Sequence, residues 1–80
     1  MAMIVKEMLE MGQKTLEGAG IYDAKVDAER LLCHMLSLER GELFMIWSKR
    51  MEDGQCSRYF ELIDARATRL PLQHITGVQQ

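Results

Sequence analysis

The sequence predicts an all-α domain: a small antiparallel bundle of four to five helices, ending in an extended tail that leads toward a further domain. Three observations predict it. Apolar residues recur every three or four positions in successive segments separated by short polar or glycine-containing breaks. The apolar fraction is 48% in a chain of 80 residues, ample for one core and one domain. The last periodic segment stops at Pro71, the single proline, after which the pattern becomes strand-like up to Gly77. A chain of this size buries only about two-thirds of its unfolded surface, so a bundle with short, local connections is the economical arrangement.

The first helix is expected over about residues 3 to 17, with Ile4, Val5, Met8, Leu9 and Leu16 on its apolar stripe. Glu10 and Lys14 form an i,i+4 pair on the wet side, and Gly18 and Gly20 supply the stop. Gly12 lies on or near the stripe, where glycine costs about 1 kcal/mol relative to alanine; close helix packing is the expected reason. Asp23 is expected to cap a second helix that turns Ala28, Leu31, Leu32, Met35 and Leu36 inward and pairs Lys25 with Glu29 outside. The pattern breaks after Ser37 and at Gly41. Leu43, Phe44 and Trp47 then predict a short third helix whose aromatic residues cover the bundle end. Ser48 to Asp53 reads as a loop, and Asp53 as the cap of a fourth helix along which Cys56, Tyr59, Phe60, Ile63, Ala67 and Leu70 recur. Residues 1–70 are thus the bundle. A lone extended segment after Pro71 needs strands to pair with, so the chain reads as one domain of a larger protein.

Composition excludes several functions. Ten basic and twelve acidic residues are spread along the chain, with no basic block to gather phosphates, so direct nucleic-acid binding is not indicated. Apolar runs of a few residues fall far short of the roughly 20 that cross a bilayer. Cys33 and Cys56 are far apart and no signal-like N-terminus precedes them, which predicts reduced thiols in the cytoplasm. Cys33 and His34 are adjacent and point about 100° apart on a helix, so no metal is expected. Both cysteines read as small apolar fillers and His34 as a water-facing edge residue. Ser37 and Ser57 lack the context of an activated nucleophile, and Glu52-Asp53 and Glu61/Asp64 read as solvated or capping charge. The scattered glycines form no strand–GxGxxG–helix unit, so no catalytic or cofactor-binding residue is assigned. The seven methionines read mainly as core packing. Arg66 and Arg69 have an ordinary explanation as cations at the negative end of the last helix.

A functional reading comes from two stretches: Asp27-Ala28-Glu29-Arg30-Leu31-Leu32-Cys33-His34-Met35-Leu36, and Arg66 to Gln80 with Pro71-Leu72-Gln73-His74-Ile75-Thr76-Gly77. Together with the Leu43 to Trp47 segment they resemble, over essentially the whole chain, the N-terminal domain of the HemK/PrmC family. These are protein-(glutamine-N5) methyltransferases that use S-adenosylmethionine to modify the GGQ glutamine of peptide chain release factors. The resemblance implies that residues 71–80 begin an interdomain β-hairpin linker. It also implies that S-adenosylmethionine binds a catalytic domain beyond this chain and that the bundle itself is non-catalytic. The implied partners are a release factor and the protein's own catalytic domain. Arg66, Pro71, His74 and Gly77 match joint positions of the family. With Arg69 and Gln73 they are the candidate joint or partner-contact residues. Leu70 stands where members often carry an acid and Ala65 where a second arginine is frequent. A stand-alone helical interaction module, docking a partner helix near Met45 or Trp47, is the alternative reading.

Overall fold

Apolar periodicity becomes three long helices and one short one, closed at one end by a minimal sheet. The computed structural model describes residues 3–71 together with His74, Ile75 and Gly77. In chain order the elements are β1 (Met3–Ile4), α1 (Val5–Gly18), α2 (Ala24–Leu36), α3 (Arg40–Leu43), a 3₁₀ turn (Phe44–Ile46), β2 (Arg50–Met51) and α4 (Asp53–Ala67).

Pairwise contacts fix the topology. Met3 pairs with Met51 and Ile4 with Arg50 in an antiparallel ladder, which brings the starts of α1 and α4 together. Further along, Gly12 of α1 faces Tyr59 and Ile63 of α4. At the far end the carbonyl of Ala19 meets Arg69, so α1 and α4 run the same way. α2 runs against both: Asp27 near its start meets Arg66 near the end of α4, and Leu36 at its finish lies with Val5, Met51 and Gln55. The result is an up-down-up bundle, with α3, the 3₁₀ turn and β2 crossing the end at which α1 and α4 begin.

Backbone groups at the helix ends find specific partners. The first free N–H groups of α1, those of Val5 and Lys6, donate to the carbonyls of Lys49 and Trp47 at 2.9 and 3.1 Å. Three helices share one N-terminal device, in which a side chain at the third helical position accepts the N–H that precedes the helix: Ile4 to Glu7, Glu39 to Glu42 and Glu52 to Gln55, at 3.1, 3.1 and 3.0 Å. Gln55 thereby sets the start of α4, so Glu52 is the cap residue and Asp53 the first helical one. Asp23 does precede α2, but its carbonyl rather than its carboxylate takes the Asp27 N–H, at 2.9 Å. α1 stops in a Schellman turn: Ile21 N–H bonds Leu16 and Gly20 N–H bonds Glu17, both at 3.0 Å, with Gly20 at φ 78°. α2 stops the same way on Ser37 at φ 57°, a non-glycine residue in the left-handed region.

Val5, Met8, Leu16, Leu31, Leu32, Leu43, Tyr59 and Ile63 form the fully buried centre. A Cβ on Gly12 would lie 2.6 Å from the Tyr59 hydroxyl and 3.0 Å from Ile63 Cδ1, which is the close packing expected of that glycine. The same hydroxyl donates to the Ala28 carbonyl at 2.8 Å, so one side chain of α4 ties α1 to α2.

Several expectations change. Glu29 is not an outward partner of Lys25; it is 4% exposed and bonds Arg40 at 2.6 Å, because α3 delivers a cation across the helix face that local spacing cannot anticipate. Leu62 joins the α4 core, whereas Leu70 lies past the helix end and is exposed. The expected Ser48–Asp53 loop contains β2, which exists only because β1 is there to pair with it. In the third segment Leu43 is the buried residue and Phe44 faces water, since the helix tightens into a 3₁₀ turn there. The extended tail is also corrected where it is described: His74 N–H donates to the Pro71 carbonyl at 2.9 Å and His74 and Ile75 are helical. A strand without a partner leaves its backbone groups unpaired, whereas a turn satisfies them locally. Leu72, Gln73, Thr76 and residues 78–80 lie outside the described residues.

Candidate functional site

The joint residues singled out in the sequence lie where α4 ends, beside the end of α1 and the start of α2. The last turn of α4 carries Arg66, whose Nε donates to Asp27 Oδ2 at 2.9 Å and whose Nη1 donates to the Leu70 carbonyl at 3.0 Å. One guanidinium therefore links the opening turn of α2 to the backbone just beyond α4. Arg66 and Asp27 are both mostly shielded, with side-chain exposures of 21% and 11%. Such a pair is stronger than a surface ion pair but still bears a desolvation penalty.

Arg69 follows in the left-handed region at φ 70°, a conformation L-residues adopt at a cost of about 1–2 kcal/mol. That turn aims its guanidinium at the end of α1, where Nη2 donates to the Ala19 carbonyl at 3.0 Å. Its N–H meanwhile bonds the Arg66 carbonyl at 2.9 Å and closes α4. The dipole explanation for these arginines is thus incomplete: each bonds a carbonyl or carboxylate in another part of the bundle. Together they form a clasp that holds the end of α4 to both other long helices. Pro71, His74 and Gly77 are exposed beyond the clasp, Gly77 with φ 74° and open space around its Cα. Ile75, between them, packs against the edge of the core. Gln73 lies outside the described residues.

The Cys33 thiol and the Tyr59 phenol are inside and protonated. Burial, with Glu29 adding to it, pushes the Cys33 thiol up from its ordinary range. Burial likewise pushes the Tyr59 phenol well above its usual value, with smaller contributions from Cys33 and Glu29. Neither is a nucleophile at neutral pH. His34 is exposed, as expected. Among the described residues no three His, Cys, Asp or Glu side chains gather as metal ligands, and no helix is long and apolar enough to cross a membrane.

Sequence reasoning missed Asp27 and Ala19 as the groups that Arg66 and Arg69 hold. Asp27 was legible as an acid in the first turn of α2, but its partner lies 39 positions away. Ala19 contributes only a carbonyl, which leaves no side-chain signature.

Residues 7–77 match the family model described as the PrmC N-terminal domain. Similar curated proteins include three proteins named release factor glutamine methyltransferase. That of Mycobacterium tuberculosis is 33% identical over 75 residues, covering 94% of this chain and 24% of that protein. That of Mycolicibacterium smegmatis is 36% identical over 74 residues, covering 91% and 25%. That of Nitratidesulfovibrio vulgaris is 33% identical over 73 residues, again covering 91% and 25%. The chain therefore spans about a quarter of the length of the curated relatives it matches. No solved structure gives a significant match.

Proposed function

Because this chain belongs to the PrmC N-terminal domain family, we propose that it is the recognition and positioning module of a methyltransferase acting on peptide chain release factors. The observation that carries the reading is the family match over residues 7–77, reached together with relatives that bear that enzyme's name. In this reading the reaction is N5-methylation of the GGQ glutamine. The methyl donor, S-adenosylmethionine, is held by a catalytic domain outside these 80 residues, and the whole works in the cytoplasm. The bundle contributes binding. A release factor is larger than an active-site cleft, and contacts remote from the glutamine hold it near the methyl donor. Orientation of this kind lowers the barrier without any group on the bundle touching the reacting atoms.

The clasp suits that role. Arg66 and Arg69 fix the end of α4 to Asp27 and Ala19, so a domain joined beyond Pro71 inherits a defined direction from the bundle. Residues 71–80 then serve as the start of the joint, with Pro71, Gln73, His74 and Gly77 within it. The test is the full methyltransferase with and without residues 1–70. Removal of the bundle is expected to lower kcat/KM on intact release factor at least tenfold, while a short peptide bearing the target glutamine is methylated equally well and S-adenosylmethionine binding is retained. Unchanged kcat/KM on the intact factor refutes the proposal.

A further inference from the structure

Away from the clasp, the bundle carries an unusual surface. Phe44, Met45, Ile46 and Trp47 are four consecutive apolar residues at the 3₁₀ turn, and within them Phe44 is 57% and Met45 84% exposed. Single exposed apolar side chains are commonplace, but a run of them on the surface of a small domain marks a place where something docks. The exposure has a structural cause. Leu43 is the side chain of this segment that enters the core, Ile46 and Trp47 are half-buried, and the tightened turn leaves the next positions pointing away. Phe44 and Trp47 lean on each other, with ring centroids 5.4 Å apart, so the ridge is held in place by its own contacts. The backbone beneath it is equally fixed, because the carbonyls of Trp47 and Lys49 accept the first N–H groups of α1.

Beside the ridge runs a groove of about 260 Å³ with an apolar floor of Val5, Leu36, Ile46 and Met51. Lys49 and Arg50 stand on its rim, and both are exposed. Neither takes part in an ion pair among the described residues. From Leu43 to Met51 the only charges are these two cations. An apolar ridge and groove bordered by unpaired positive charge is complementary to a segment that sets apolar side chains beside carboxylates.

Position bears on who brings that segment. α4 has 15 residues and so rises about 22 Å, which sets the clasp and Pro71 well away from Phe44, Met45 and the groove, while the Trp47 side of the ridge runs along the flank of α1 and α2 beside Leu9, Gln13 and Lys25. Whatever is joined beyond Pro71 enters at the clasp end, so the ridge is not the point from which the chain leaves the bundle. We propose that the Phe44–Trp47 ridge, with the Lys49/Arg50-rimmed groove, is the surface by which the bundle holds its protein partner, through a partner segment combining apolar and acidic side chains. This rests on the function proposed above, in which the partner is a release factor, and it places recognition at the ridge and not at the arginine clasp.

The test titrates purified release factor against the chain by calorimetry, using wild type, Met45→Ser, the double reversal Lys49→Glu/Arg50→Glu, and the control Arg58→Glu on the outer face of α4. Met45 and the two cations are exposed, so the variants are expected to keep the wild-type far-UV spectrum and thermal midpoint, which are measured alongside. Met45→Ser and the double reversal are each expected to weaken binding at least tenfold. The effect of the reversal should shrink in 0.5 M salt while that of Met45→Ser persists, and Arg58→Glu should stay within twofold of wild type. Wild-type binding that survives both ridge substitutions overturns the ridge as the docking surface and leaves the proposed function standing. No binding by wild type overturns the recognition role itself, and with it this inference. Self-association of the chain that Met45→Ser abolishes would reassign the ridge to a second copy and likewise overturn the proposal.

Discussion

Gly12 and Tyr59 form the tightest joint in the core, and a double-mutant cycle measures it. In Gly12→Ala the added methyl would sit 2.6 Å from the Tyr59 hydroxyl, 3.0 Å from Ile63 Cδ1 and 3.1 Å from Tyr59 Cε2. The hydroxyl cannot swing aside without losing its 2.8 Å bond to the Ala28 carbonyl, and the ring is fully buried. Overpacking of this kind costs roughly 1–3 kcal/mol, whereas alanine gains about 1 kcal/mol over glycine within a helix. The net expectation is a destabilisation of about 1 kcal/mol or slightly more, a drop in midpoint of roughly 4–8 °C for a domain of this size. Tyr59→Phe alone loses one buried hydrogen bond, about 1 kcal/mol. It also removes the nearest atom that the new methyl would strike, leaving the 3.0 and 3.1 Å contacts. The double variant is therefore expected to be more stable than the sum of the singles by on the order of 1 kcal/mol, the sign and size typical of residues in contact. Urea unfolding followed by far-UV circular dichroism gives all four free energies. Additive losses, or a Gly12→Ala protein more stable than wild type, would refute the view that the methyl and the hydroxyl compete for one space.

Other expectations follow from the same contacts. Because burial raises the Tyr59 phenol in the fold, its contribution is fully present below the unfolded value near pH 10 and is lost as pH rises above it. Unfolding free energy should fall by about 1.4 kcal/mol per pH unit there, and Tyr59→Phe should remove that one proton's share of the slope. Asp27→Ala strands the Arg66 guanidinium at the clasp and is expected to cost about 2 kcal/mol in chemical denaturation, within the range for a partly shielded pair that loses one member. A loss under 0.5 kcal/mol would mean that the clasp is solvent-screened. Ser37→Gly, at φ 57°, should stabilise by roughly 0.5–1 kcal/mol in the same assay, and destabilisation would show that the serine side chain matters more than its backbone strain.

Much of the fold was legible because its determinants are local. Residues Val5, Met8, Leu9 and Leu16 lie at helical spacing, and Gly20 ends their helix because a left-handed residue is needed there; both facts follow from adjacent sequence. The α2 stripe through Leu31 and Leu32 is read the same way. Legibility failed where the partner is distant. Glu29 looks like half of a Lys25 pair until Arg40, from a separate helix, reaches it. Arg50 and Met51 look like loop until Met3 and Ile4 lie alongside. For the candidate site, the sequence marked Arg66 and Arg69 as helix-end cations, and the resemblance matched Arg66 to a joint position of the family. Neither could name Asp27 or Ala19 as the groups they hold. Nor could the sequence say which of Leu43, Phe44 and Trp47 would be buried, since a change of about 20° per residue between α and 3₁₀ winding decides which side chain points inward.

The sequence by itself determined the helical character of this protein, the stops at Gly20 and before Pro71, and the family to which it belongs. Those depend on periodicity, on backbone conformations open to particular residues, and on a pattern carried along nearly the whole chain. The tertiary structure alone decided how the ends of the bundle are used. It placed two arginines so that they clasp three helices where the chain departs, and left an apolar ridge uncovered away from them. Both outcomes depend on the meeting of residues tens of positions apart, which no local rule encodes and only the packed fold brings about.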